Sequence, residues 1–186
     1  LLHEHKSDFV TSQENLLKEA GDYLNTRYGI ISLSLKQLIN KHPDYVTPLL
    51  LISLLDSQNI PSEVLNTCKN TTNIKNFMHE LKKYFLLINE SPSSSPFDST
   101  FSLHRSTQAI ILEYFSKILG IEGTKTRIQL LANGLGQLAE QELEKENTLH
   151  IKKLLNHFRA FLSHDQLLSP STKSSLTFEL GRMYAH

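Results

Sequence analysis

The sequence predicts a mainly α-helical chain carrying one small β-hairpin, and three observations predict it. Apolar residues recur at helical spacing through most of the 186 residues. A dense apolar run of strand length, "YFLLINE", and a short return, "TFSL", flank "SPSSSPFDS", whose two prolines and five serines only a loop can accommodate. After "RSTQAIILEYFSKIL" the pattern is helical again to the last residues.

Each element follows from local chemistry. "TSQENLLKEAGDYLNTRYG" opens with Thr11 and Glu14 in capping-box spacing; Leu16, Leu17, Ala20, Tyr23 and Leu24 then share one side, and Gly29 is expected to break the helix. "IISLSLKQLINKH" aligns Ile31, Leu35, Leu38 and Ile39 and should stop before Pro43, whose ring drives His42 out of helical dihedrals. "PDYVTPLLLISLLDSQNIP" reads as a helix buried on most of its surface. A shorter helix is expected from Pro61, with Val64, Leu65 and Cys68 together. In "TNIKNFMHELKKY", the third helix of the group, Ile74, Phe77, Met78 and Leu81 are expected to point inward at helical spacing. The closing helix should bury Ile111, Leu112, Phe115, Ile118 and Leu119.

Three helices, a strand, a polar loop, a strand and a closing helix make a winged helix-turn-helix, with the loop from Glu90 to Ser99 as its wing. We place this unit at about Pro43 to Gly120, between residues 1–42 and 121–186. Beyond it, Ile128, Leu131, Leu135 and Leu138 mark one helix and Ile151, Leu154, Leu155, Phe158 and Leu162 a second. Ser169 with Pro170 forms the N-terminal signature of a third. Such helices suggest the opening of an α-helical repeat stack.

Composition narrows the function classes. Lys plus Arg number 19 against 19 Asp plus Glu, so the chain as a whole exerts no broad pull on nucleic acid or anionic membrane. The single cysteine, Cys68, forms no internal disulfide, and a reducing cytoplasm is the expected setting. The apolar runs "PLLLISLL" and "YFLLI" fall far below the roughly 20 residues of a membrane helix. The start, "LLHEHKSDFV", has no Met and no basic stretch before an apolar one, so we expect no signal peptide and a piece of a longer chain.

Several segments together resemble one family. "SLKQLINKHPDYVTPLLLISLLDSQNIPSEVL", "FMHELKKYFLLI" and "FSLHRSTQAII" resemble, in that order, the region following the nucleotide-binding core in STAND signalling NTPases of the NB-ARC and NACHT type, most closely their tetratricopeptide-repeat-containing subgroup. The matching marks are Ile60-Pro61, the run Leu81 to Leu87, and the "H-R-x-x-Q" of His104, Arg105 and Gln108. "LLNHFRAFLSH" and "LTFELGRMYAH" similarly look like the lead-in to tetratricopeptide repeats. The resemblance covers about Ser32 to the end. It implies that residues 1–42 continue from an upstream NTPase core, that 43–120 are the winged-helix domain, and that 121–186 are a helical linker and the first repeats.

For His104 the implication is concrete. In that family the histidine at this place reaches the β-phosphate of ADP in the core and holds the closed, inactive state, a latch and not a catalyst. An imidazole N–H suits a phosphate oxygen, and the contact vanishes when the winged domain rotates away. Plant members carry Met-His-Asp where this chain has Leu103, His104 and Arg105. The alternative is that His104 caps or packs at the start of a helix. The implied partners are the upstream core, the downstream repeats, and a protein ligand or further copies of the chain; ADP or ATP with Mg would belong to the parent protein, with no cofactor in this chain.

The P-loop pattern has one passing likeness here, "LGIEGTKT" from Leu119 to Thr126, whose glycines are too close and whose Lys125 is separated from Gly123 by Thr124; it reads as a helix-to-helix connection. We therefore expect no hydrolysis by this chain. His3 with His5, and His150, His157 and His164 at seven-residue intervals, have metal-like spacing but no completing ligand cluster, so no metal is expected. Cys68 reads as a buried thiol, and "ELEKE", Glu142 to Glu146, as a solvated helix end. The rival function is DNA recognition by the helix Asn73 to Tyr84 with Lys75, Lys82 and Lys83; Phe77, Met78 and Leu81 occupying its surface, the acidic Glu80 and a wing without Lys or Arg argue against it. A helical interaction scaffold without nucleotide is the third reading.

Overall fold

The computed structural model describes residues 26–68 and 73–186. The expectations for Thr11 to Leu24, and His3 with His5, lie outside the described residues. Helix α1, residues 26–41, runs straight through Gly29, which therefore does not break it. A glycine inside a helix costs only about 1 kcal/mol, and the stripe of Ile31, Leu35 and Leu38, all buried, continues beyond it. Pro43 ends the helix as expected: His42 takes φ −136°, ψ 80°.

A 3₁₀ turn, Pro43–Tyr45, leads into α2, Val46–Leu54. Pro48 sits in the first turn of α2, where a missing N–H breaks no helical bond, and every residue from Pro48 to Leu54 is buried. The chain then forms β1, Ile60–Pro61, a strand the sequence reading missed; Pro61 is its second residue, and the short helix expected from it is a 3₁₀ segment, Ser62–Thr67. Two residues are too few to carry an alternating pattern. Helix α3, Ile74–Lys83, is capped by Asn73, whose side chain accepts the Lys75 N–H at 3.1 Å.

"YFLLINE" is mostly not a strand. Phe85 takes φ 55°, its N–H bonds Lys82 O at 2.9 Å and the Leu86 N–H bonds Leu81 O at 3.0 Å. This is the Schellman ending of α3, with Phe85 in the left-handed place usually given to glycine. Phe85 is 93% exposed, while Leu86 folds back into the core. Pairing begins later, with β2, Asn89–Ser91, and β3, Thr100–Ser102. The sheet order is β1-β3-β2, antiparallel throughout, with Ile60 and Glu90 both opposite Phe101. Helix, strand, 3₁₀ segment, helix and hairpin give the winged helix-turn-helix expected, with one strand added.

Helix α4, Arg105–Glu144, is broken at Gly120, where φ 69°, ψ 169° is conformational space essentially reserved for glycine. The break also corrects the expectation for Ile118, which is 57% exposed: Phe115 and Thr124 are consecutive buried positions, so the turn falls on a solvent-facing stretch. The second half of α4 packs with α5, Thr148–Leu162, and α6, Pro170–Tyr184, as a three-helix stack. Ser169 caps α6 by accepting the Thr172 N–H at 3.2 Å, with Pro170 following. Gly134 earns its place in α4 by proximity: a Cβ there would stand 2.9 Å from Thr67 Cβ. One continuous core runs from Ile31 to Met183, and among the described residues no helix is long and apolar enough to cross a membrane.

Candidate functional site

The strand β3 delivers the chain to α4 through Leu103, which is buried and donates its N–H to Ser57 O at 2.9 Å. His104 follows as the N-cap residue, with extended dihedrals, φ −70°, ψ 138°. Its backbone carbonyl accepts the first helical bond from Gln108 N at 3.0 Å, but its imidazole does not cap the helix. The ring is exposed, as is the neighbouring Arg105, and it forms no hydrogen bond or ion pair with any described residue. His104 therefore caps α4 through its backbone carbonyl and not through its imidazole.

Gln108 explains why that histidine stands where it does. Its side-chain amide is buried and donates one N–H to Ile52 O at 2.7 Å and the other to Leu55 O at 2.9 Å. These are carbonyls at the end of α2, where no helical donor follows. Gln108 therefore staples the first turn of α4 to the last turn of α2, with His104 and Arg105 left on the solvent side. In the sequence Gln108 is one mark of the "H-R-x-x-Q" motif; its role as a staple depends on Ile52 and Leu55, more than 50 residues away.

Arg105, but not His104, lines a groove of about 750 Å³ between α2, α4 and the α5–α6 connection. Its charged lining is mixed, with Arg105 alongside Asp56, Glu113 and Asp165, and it includes His164. Burial holds the His164 pKa below its ordinary value, so the ring is neutral at neutral pH. His104 and Arg105 are N–H donors at the positive end of a helix, an arrangement suited to an anionic oxygen.

The second candidate surface is α3. Phe77, Met78 and Leu81 point inward, and so does Glu80, which Lys41 holds at 3.0 Å. The Glu80 pKa is lowered by this hydrogen bond, against the opposing effect of burial. The inward phase expected for Phe77, Met78 and Leu81 is thus met, and with Glu80 also turned inward these residues do not cover the helix's solvent side, which corrects their use as an argument against DNA contact. Its solvent side carries Lys75, Asn76, His79, Lys82 and Lys83, with Lys82 paired to Glu90 and Lys83 3.9 Å from Glu80.

The histidines at seven-residue spacing have separate structural roles. His150 Nδ1 lies 2.7 Å from Glu142 Oε2, and its ring stacks on Phe97 of the wing at 4.0 Å. Lys153 reaches the same part of the wing, at 3.2 Å from Phe97 O and 2.6 Å from Asp98 Oδ1. His157 is buried and donates from Nε2 to Asn59 O at 3.3 Å. One face of α5 is thus pinned to the winged unit at three places. Glu142 is only 2% exposed, which corrects its reading as part of a solvated helix end; Glu144, Lys145 and Glu146 are exposed as expected. Burial pushes the Glu142 pKa up, but the hydrogen bonds from Lys145 and His150 outweigh it and leave it lowered. For His157, burial dominates and lowers the pKa despite the bond to Asn59. Among the described residues, no three His, Cys, Asp or Glu side chains gather where they could share a metal ion, and Cys68 is buried.

Comparison of the chain with protein-family models, with curated proteins and with solved structures finds no match.

Proposed function

We propose that this chain is the non-catalytic regulatory region of a STAND-type signalling NTPase, in which the winged helix-turn-helix reports the nucleotide state of an upstream core to a helical stack. The observation that carries the reading is the exposed, unpartnered imidazole of His104, set at the N-terminus of α4 and fixed from behind by Leu103 and Gln108. A free donor carried toward solvent on an anchored backbone, with Arg105 beside it, suits a phosphate oxygen presented by another domain. ADP in that core would supply the oxygen; His104 would hold it in one state and release it when the winged unit turns away. The pins from α5 would then carry that turn into the stack.

The test uses the full-length protein. A strand followed by a P-loop should lie within roughly 300 residues upstream of Leu1. His104→Ala should speed release of a fluorescent ADP by roughly 10-fold or more, the equivalent of one charge-assisted hydrogen bond. Absence of the P-loop, or an unchanged release rate, would remove the latch.

One observation favours a second reading. The solvent side of α3 is polar and cationic, as a helix lying in the major groove requires. In this reading Lys75 and Lys82 contact phosphate, and Lys75→Gln with Lys82→Gln should flatten the salt dependence of duplex binding by about 0.9 per charge removed. Duplex affinity indifferent to salt would exclude it.

A further inference from the structure

The groove between α3 and the wing, about 500 Å³, has two chemically unlike walls. On one stand Lys75, His79 and Lys82; on the other stand Ser93 and Ser94, flanked by Pro92 and Pro96. Lys75 and His79 have no side-chain hydrogen bond or ion pair with any described residue, so their charge and donor capacity are uncommitted. Lys82 is engaged with Glu90, the one carboxylate in the groove.

The wing has a fixed base and a bare tip. At its base Ser95 O accepts the N–H groups of Asp98 at 3.1 Å and Ser99 at 2.8 Å, Pro96 O accepts that of Glu63 at 3.3 Å, and Phe97 is buried. At the tip Ser93 and Ser94 are exposed; Ser93 Oγ accepts only a long 3.4 Å contact from Ser95 N, and the Ser94 hydroxyl has no partner among the described residues. Short exposed chain with free hydroxyls is what a modifying enzyme can seize.

We propose that Ser93 and Ser94 are a phosphorylation site and that the cationic wall of α3 is the receptor for the phosphate. A protein kinase supplies the catalysis and ATP the phosphoryl group. The serine Oγ attacks the γ-phosphorus, the Oγ–P bond forms as the bond to the β–γ bridging oxygen breaks, the hydroxyl proton passes to the kinase base, and ADP leaves. The product carries about −1.5 to −2 charge at pH 7. Across the groove it meets Lys75 and His79 directly and competes with Glu90 for Lys82. The modified tip therefore folds onto α3 and covers the polar side of that helix. This goes beyond the nucleotide reading and does not depend on it.

The test is the whole chain with phosphoserine encoded at position 94, and separately at 93, followed by ³¹P NMR against pH. The second ionisation of the phosphate should fall at lower pH than in an isolated wing peptide with the same phosphoserine, and Lys75→Gln with Lys82→Gln should return it to the peptide's position. Identical titration in chain and peptide would overturn the receptor. Incubation with γ-labelled ATP and a kinase-active extract of the source cells should label the chain, with label lost from Ser93→Ala/Ser94→Ala. Label unchanged in that variant would overturn the site. Salt-dependent capture of a duplex by the α3 face, undiminished by phosphoserine at 94, would assign the cations to nucleic acid and overturn the proposal as well.

Discussion

Replacing Gln108 by Met keeps the length and volume of the side chain and deletes both donors. The two carbonyls it serves, Ile52 O and Leu55 O, belong to residues that are themselves buried. A buried acceptor left without a donor costs about 1–3 kcal/mol. Two such losses, partly offset by the apolar gain of the thioether, come to about 3 kcal/mol, a factor of roughly 150 in the folding equilibrium. For a chain of this size that corresponds to a fall in Tm of roughly 6–12 °C. Urea unfolding followed by far-ultraviolet circular dichroism should show a lower midpoint with an unchanged slope. Gln108→Glu should be worse than Gln108→Met, because a carboxylate aims acceptors at acceptors. His104→Ala, four residues earlier on the solvent side, should change stability by less than about 0.5 kcal/mol. A loss below about 1 kcal/mol for Gln108→Met, or Gln108→Glu matching the wild type, would refute the staple.

Three further outcomes follow from single positions. Gly134→Ala drives a methyl to 2.9 Å from Thr67 Cβ and 3.2 Å from Thr67 O and should destabilise by about 1–3 kcal/mol in chemical denaturation, whereas Gly136→Ala, with nothing within 4 Å, should stabilise by up to about 1 kcal/mol. Gly120→Ala has equally open space, yet its φ of 69° should cost about 1–3 kcal/mol by the same assay, and an unchanged midpoint would mean that the break in α4 relaxes freely. His157 has its folded pKa lowered from 6.5, so the unfolded chain takes up a proton first; stability should be full above pH 6.5 and fall as pH drops below it, and His157→Gln, which keeps a donor for Asn59, should flatten that slope.

The parts of the fold written in local chemistry could be read from the sequence. Pro43 stopping α1, the cap at Ser169 and the inward stripe of α3 each depend on residues within one or two helical turns. The errors have a common cause in distant partners. Glu142 looked like one more surface carboxylate because His150 meets it only after the chain has turned back. β1 exists only because β3 lies beside Ile60 and Pro61. Phe85 misled the reading of the hairpin because a Schellman ending usually shows a glycine, and here an aromatic holds the left-handed position. At the candidate site, His104 was legible through its motif; Gln108 was quoted without its purpose, since Ile52 lies 56 residues away.

The bond from His157 to Asn59 joins residues 98 apart in sequence. At synthesis rates of about 5–20 residues per second, the corner holding Asn59 leaves the ribosome roughly 5–20 s before the side chain that secures it. During that interval the wing lacks both Lys153 and the ring of His150, so the winged unit is born before its fastening. The nascent chain should therefore pass through a stage in which the hairpin is formed but proteolytically vulnerable at its base, and synthesis of α5 closes that stage in one step.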